Sequence, residues 1–272
     1  MNHPPTTAGW RLSPAEFALT LEGNGRDRVP YPLRRRPEFA ESLEVLGERR
    51  RATALRMREI YDQDLHRVFE VLLEPRVRVE IEGFTGPGQT EAVRIYAGIS
   101  GTEATLAVQA PGATREDGGD ITLTRLPASA VAAQIVATLP QVVGGSLPRF
   151  EGRRTDLDAP VYARNPTRLS PIEQLQKFFR RPRSGTGEIT VYPGFALDAR
   201  PTDDGSAFLW LDYPDDGRYL MQYHDADSFT VIPGPAAEIT RRLQTRIDTM
   251  TKRQLMQYSK SASDHRTESN QY

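Results

Sequence analysis

Between Phe208 and Asp225 the chain reads FLWLDYPDDGRYLMQYHD, which sets Asp212, Asp215, Asp216 and Arg218 between two apolar runs. Carboxylates so close together could act as general acid and base, or, with His224, Asp225 and Asp227 added, hold a divalent cation. The local chemistry points elsewhere. Pro214 presets φ, the two aspartates can hydrogen-bond their own backbone, and Gly217 is free to take a positive φ, which together describe a hairpin turn. Asp212 and Arg218 then flank that turn on facing strands, where they can form a cross-strand charge pair. The His224–Asp227 group lacks the spacing of an EF-hand loop and lies roughly seven residues, about 23 Å of strand, from the first turn. The two acidic turns therefore belong at opposite edges of a sheet.

Other candidate chemistry is sparse. The four histidines are His3 and His265 near the chain ends, His66 in a helix and His224 at a strand end, and none sits in a serine or carboxylate arrangement of the kind triads need. Carboxylates scattered along the chain could still meet in space as a hydrolase site. The glycine patterns at Gly86–Gly88 and Gly185–Gly187 join or precede strands rather than open helices, so neither is a phosphate loop. No catalytic residue, cofactor or metal site is assigned. From Gly25 to Arg58 ten arginines face five acids, and Arg180, Arg181 and Arg183 form a second cluster. They fall in a connector, at a helix start and at a helix C-terminus, without interleaved aromatics, which reads as solvated faces rather than a nucleic-acid site.

The chain's 272 residues allow one large domain or two small ones. Its 35 basic and 36 acidic residues leave a net charge of −1, so no global field recruits nucleic acid or an anionic membrane. There are no cysteines, which removes disulfides, thiolate metal sites and cysteine nucleophiles. No secretory leader pattern opens the chain, and no apolar run approaches the ~20 residues that cross a bilayer. The expectation is a soluble, cytoplasmic protein.

The elements that would position these residues follow from periodicity. LSPAEFALTL offers Ser13 as N-cap, Pro14 at the first helical position and Glu16 closing a capping box. After a Gly, Arg and Pro-rich connector, a long helical region is expected from Glu38, interrupted near Gly47, with Leu65, Val68, Phe69, Leu72 and Leu73 on one face. At Pro75 the period changes from 3.6 to 2. RVRVEIE, EAVRIYAGI, EATLAVQA and ITLTRL read as four antiparallel strands, and Val77, Val79 and Ile81 point away from Arg76, Arg78, Glu80 and Glu82. A proline-opened helix, PASAVAAQIVATL, follows.

The second half repeats the order. LSPIEQLQKFF again supplies Ser170, Pro171 and Glu173; GEITVYP, AFLWLDY, RYLMQYH and SFTVIP are four strands; PAAEITRRLQTRI closes the block. Phe208 and Trp210 point one way and Leu209 and Leu211 the other, so this strand buries both faces and belongs inside a larger sheet. The expected fold is α+β: one central antiparallel sheet with two helical bundles and a pseudo-twofold repeat of helix, four strands, helix. Residues 1–9 are expected to be a flexible N-terminus, 10–250 a single domain with halves of about 10–150 and 160–250, and 251–272 a polar tail formed of a frayed helix end and disorder.

In their order these features resemble the EspG family, cytosolic chaperones of type VII (ESX) secretion. Asp212, Gly217, Arg218, Tyr219, Val231 and Pro233 stand at positions of that family's C-terminal signature. WRLSPAEFALTL, LLEPRVRVEI, LPASAVAAQIVATLP and GTGEITV resemble its earlier segments, so the likeness spans roughly Trp10 to Met250. One departure is YPDD, where family members more often carry Thr after the Asp.

The resemblance implies the same fold plan and a role without reaction or cofactor. A PE-PPE heterodimer would be bound by the hydrophobic helical tip of its PPE subunit, kept soluble and directed to its secretion system. Family contacts come from the loop between the first two long strands and from the C-terminal helical bundle, which map to Gly86, Pro87, Gly88 and Gln89 and to Leu243 and Met250. Asp212, Gly217, Arg218 and Tyr219 are then a scaffold signature. The alternative is a small-molecule or lipid-binding module with a pocket between the sheet and the helix at 128–139.

Overall fold

Among the described residues the apolar-patterned segments and two short edge strands form ten antiparallel strands in one sheet. The structure, a computed structural model, describes residues 9–37, 39–160, 168–196 and 202–268, with side chains of the last helix through Met256. The strands are β1 (Gly9–Leu12), β2 (Val77–Thr85), β3 (Glu91–Ser100), β4 (Glu103–Pro111), β5 (Gly118–Pro127), β6 (Phe150–Arg153), β7 (Gly185–Pro193), β8 (Ser206–Tyr213), β9 (Gly217–Tyr223) and β10 (Ser228–Pro233). Their order is β1-β5-β4-β3-β2-β7-β8-β9-β10-β6. The two halves therefore meet at β2 and β7, with Ile81 opposite Ile189. Each half is a four-strand meander whose last strand also pairs with a short strand from before its first helix, β1 on β5 and β6 on β10. Those two short strands extend the repeat beyond the helix, four strands, helix read from sequence; at four residues each they are too short to show a period.

The helices are α1 (Pro14–Gly23), α2 (Leu43–Ile60), α3 (Gln63–Leu73), α4 (Val131–Thr138), α5 (Arg154–Leu157), α6 (Pro171–Arg180) and α7 (Ala236–Glu268). Both expected capping boxes form: Ser13 with Glu16 and Ser170 with Glu173. Two expectations change. The long helical region starts at Leu43 behind the N-cap Ser42, runs through Gly47, and breaks at Tyr61 and Asp62, where Asp62 caps α3. A Cβ at Gly47 would meet no atom within 4 Å, and a single glycine inside a helix costs only ~1 kcal/mol, too little to end it. Glu38 itself lies outside the described residues.

The polar stretch from Thr251 continues α7 through Glu268 instead of fraying. Lys252, Arg253, Gln254, Leu255 and Met256 are good helix formers, and propagation of an existing helix is easy. Residues 1–8 and 269–272, the outer parts of the expected flexible ends, lie outside the described residues.

Three apolar clusters hold the layers together. On one face, α4 and α7 cover the centre of the sheet around Val79, Ile81, Ile189, Phe208 and Trp210. On the other, α1 to α3 pack on the first half around Phe17, Phe69, Tyr96 and Leu123. On that same side α6 packs on the second half around Phe178, Leu211, Tyr219 and Phe229. Trp210 lies over two glycines on neighbouring strands: a Cβ at Gly187 would stand 2.0 Å from its ring and one at Gly83 2.5 Å. The glycines leave the space this indole fills at the centre of the sheet.

Between the two outer bundles, the centre of the second face is polar. Arg78 and Glu80 form a buried ion pair at 2.7 Å, and the Arg78 guanidinium stacks 4.3 Å from the Tyr192 ring. Burial pushes the Glu80 carboxyl up, against the hydrogen bond and charge of Arg78. Beside it Tyr31 donates to Glu82 at 2.5 Å and Arg34 pairs with Glu82 at 3.0 Å. Arg78 and Glu80 thus belong to a covered ionic layer and not to an open face, with Glu82 half-buried beside them and Arg76 exposed, because the connector before α2 and the segment after β7 fold over the middle of the strand.

Candidate partner interface

The sequence FTGPGQT becomes a tight turn between β2 and β3, at the middle of one end of the sheet. Gly86 and Gly88 take φ of 80° and 68°, and Gln89 follows at 55°, a left-handed conformation uncommon for a side-chain-bearing residue. The Gln89 N–H donates to the Gly86 carbonyl at 2.9 Å, and the Gln89 side-chain amide reaches the Arg183 carbonyl at 3.1 Å. The loop is thereby tied to the segment leading into β7. Pro87, Gly88 and Thr90 remain exposed. At its base the Arg115 guanidinium lies 3.4 Å from the Phe84 ring centroid. An exposed Pro-Gly tip on a braced turn offers a partner a surface that loses little entropy on binding.

The other half of the expected interface is not at the surface. Leu243 is 0% and Met250 3% exposed; with Ile239 and Ile247 they form the stripe that α7 lays on the sheet and α4. Residues at i, i+4, i+8 and i+11 share one helical face, and here that face is the core. Among the described side chains of α7 the exposed large apolar residues are Leu255 and Met256, which lie off this stripe. Periodicity finds the apolar face of a helix but not which neighbour covers it.

The signature residues Asp212, Gly217, Arg218 and Tyr219 do come together. Arg218 donates to both carboxylate oxygens of Asp212, Nε at 2.6 Å and Nη2 at 2.7 Å, and Nη2 also reaches the Pro140 carbonyl at 2.9 Å. Gly217 takes a φ of 131°, and a Cβ there would lie 2.7 Å from the Val143 carbonyl. The Tyr219 hydroxyl donates to Asp216 at 2.7 Å and accepts from the Leu147 N–H at 2.9 Å. Burial and the hydrogen bond to Asp216 raise the Tyr219 phenol.

Asp216 is the turn's most constrained carboxylate. Burial alone would raise it, but hydrogen bonds from Tyr219, from the Ser146 N–H and hydroxyl, and from Arg181 together hold it well below the usual carboxylate range. These groups clamp the strand hairpin onto residues 140–147, the segment by which the chain leaves the first half. The Asp212, Asp216, Arg218 and Tyr219 side chains are all engaged in structural hydrogen bonds, which accords with the turn chemistry read from the sequence.

His224 contacts the Thr230 hydroxyl at 2.7 Å and His66 the Tyr61 hydroxyl at 3.0 Å. Among the described residues no group of three or more His, Cys, Asp and Glu side chains could hold a metal ion. No described helix is long and apolar enough to cross a membrane. The place suggested for a lipid pocket, under the helix at 128–139, is filled: Val131, Ala132, Ile135, Val136 and Leu139 are buried against the sheet. An apolar groove of about 300 Å³ lies elsewhere, where Leu147 and Phe150 face Ile172, Leu175 and Phe178. Neither this groove nor the ionic layer under residues 23–37 was legible beforehand, since each is assembled from segments distant in sequence.

The fold is similar to that of the Mycobacterium tuberculosis type VII secretion system chaperone EspG5, solved in complex with a PE25-PPE41 dimer. The TM-score is 0.56 at 13% sequence identity, and the match covers 89% of this chain and 96% of that one. No curated protein sequence matches the chain. The sequence profile of the EspG family matches residues 13–245, spanning both capping boxes, both four-strand meanders and the clamped hairpin, and the chain belongs to the EspG family.

Proposed function

We propose that this protein is a cytosolic chaperone of type VII secretion that binds a PE-PPE-like heterodimer by the hydrophobic helical tip of the PPE subunit. The observation that carries this reading is membership of the EspG family across residues 13–245. The similar fold of EspG5, itself captured with a PE25-PPE41 dimer, supports it. An apolar helical tip in water is an aggregation hazard, and a chaperone hides it on a complementary surface until export.

The contact surface centres on the exposed turn Gly86–Gln89. Leu243 and Met250 act from below, holding α7 in place, while Leu255 and Met256 offer apolar surface further along the same helix. Binding without covalent chemistry is the role, so no substrate is turned over. The test is co-expression with each PE-PPE pair encoded in the same genome, scoring the soluble fraction of the pair. The chaperone reading requires that at least one pair become soluble only when this chain is present. Failure with every pair overturns it.

A further inference from the structure

The arginines between Gly25 and Arg58 outnumber acids ten to five in a chain whose net charge is −1, and the fold gathers half of them around one cavity. α1, the connector before α2, and α2 enclose about 710 Å³, walled by Arg26, Arg28, Arg34, Arg35 and Arg50. Against these five stand Glu22, Asp27 and Glu116 on the same wall. The guanidinium groups come from two segments, the connector and α2, and like charges brought around one cavity call for a counter-charge.

One carboxylate of the chain already shows how the cavity holds its counter-ion. Glu22 pairs with Arg50 at 2.6 Å and lies 3.9 Å from Arg35. Arg34 and Arg26 are already paired, with Glu82 at 3.0 Å and Glu74 at 3.3 Å. Arg28 makes no ion pair among the described residues, and Arg35 has only the long contact, so both keep donors for an incoming anion. Arginine is suited to this because its planar fork takes a carboxylate through two parallel hydrogen bonds.

We propose that this cavity is a docking site for an extended acidic peptide segment of a protein partner, whose carboxylates engage Arg28 and Arg35. The cavity is an open trough and its charges are spread along a connector and a helix, which fits an extended polyanion better than a compact one. A nucleic-acid surface would interleave several aromatics for base stacking. The wall carries Tyr31 alone, and its hydroxyl is committed to Glu82. This site shares no residue with the Gly86–Gln89 turn and stands whether or not the chaperone reading does.

The probe is a fluorescein-labelled peptide of alternating Asp and Glu, titrated against the full chain by fluorescence anisotropy at low and at high salt. Saturable binding that weakens with salt is expected, and the double variant Arg28→Glu, Arg35→Glu should weaken it by about tenfold or more. Arg58→Glu, on α2 outside the cavity, should leave it unchanged. The neutral pair Arg28→Gln, Arg35→Gln serves if the charge reversal fails to fold.

In the unaltered chain, the peptide should protect Arg28 and Arg35 from phenylglyoxal, read by mass spectrometry. Absence of saturable binding, equal binding by the cavity variants, or no protection overturns the proposal. So does tighter binding of tripolyphosphate or of a single-stranded oligonucleotide, which would assign the cavity to phosphate. Recovery of a PE-PPE pair by the same variants is scored in parallel, so that loss of peptide binding and loss of chaperone action are told apart.

Discussion

Arg218 and Asp212 face each other across the β8–β9 hairpin as a bidentate pair, at 2.6 and 2.7 Å, with side chains 3% and 2% exposed. The same guanidinium holds the Pro140 carbonyl, so one buried ion pair fastens the second half of the sheet to the segment arriving from the first. Removing one partner of such a pair leaves the other charged and uncompensated, at a cost of about 3–5 kcal/mol. Asp212→Asn should therefore lower stability by roughly that amount in urea unfolding. A loss below ~1 kcal/mol would mean that the pair is not the fastening it looks like.

The packing of Trp210 over Gly187 makes a second prediction. A Cβ 2.0 Å from the indole cannot be accommodated without moving the ring or the strand. Gly187→Ala should lose about 1–3 kcal/mol or more through overpacking. Coupling in a double variant with Trp210→Leu should return part of the loss, since the two changes share one space. Strictly additive losses would show that the glycine answers to something other than Trp210.

Acid sensitivity follows from the turn carboxylates. Asp216 sits well below its ordinary 3.8, and Asp225 is lowered to about 2, chiefly by the Ser228 hydroxyl with help from the Ser228 and Asp227 N–H groups. A carboxylate whose folded value is depressed contributes stability that is present above its unfolded value and lost as pH falls through the folded one. Stability should thus decline as pH drops below about 4. Asp216→Asn should be less stable at neutral pH and show a shallower decline, measured as urea midpoints across the acid range. An unchanged acid limb would remove Asp216 from the account.

Much of this architecture was legible in the sequence, and for physical reasons. Period-2 alternation marked the long strands of the first half and apolar runs between turns those of the second, the Ser-Pro-x-Glu capping boxes marked α1 and α6, and the YPDDGRY turn announced the Asp212–Arg218 pair. The losses have equally physical causes. β1 and β6 are too short to carry a period, and Gly47 looks like a break although nothing prevents a helix there. Arg78 and Glu80 read as solvent-facing because the segments covering them lie far away in sequence. Of the contact residues that the family resemblance implied, Gly86–Gln89 form an exposed turn, whereas Leu243 and Met250 are buried, since they carry the same apolar pattern whether the sheet or a partner covers them.

Arg246 offers a test of packing on α7. Its guanidinium lies 4.6 Å from the Phe208 ring, its Nε has no hydrogen-bond partner, and burial together with Arg242 lowers its value to about 10. A part-buried cation so poorly compensated gains little over an apolar side chain of similar length. Arg246→Met should leave thermal stability unchanged or raise it. A drop of more than ~1 kcal/mol would show that the cation–π contact dominates.

The central claim is that the turn at Gly86–Gln89 seats a PE-PPE-like heterodimer. Pro87→Glu places a charge on the exposed tip without touching the core, and desolvating an unpaired charge in an interface costs several kcal/mol. The most direct measurement is the mass of the complex purified after co-expression with the cognate pair, for the unaltered chain and for Pro87→Glu, by size-exclusion chromatography with light scattering. The account predicts one copy of each of the three chains for the unaltered protein, and a folded, uncomplexed chain for the variant. A variant that still elutes with the pair as the same three-chain complex would contradict it.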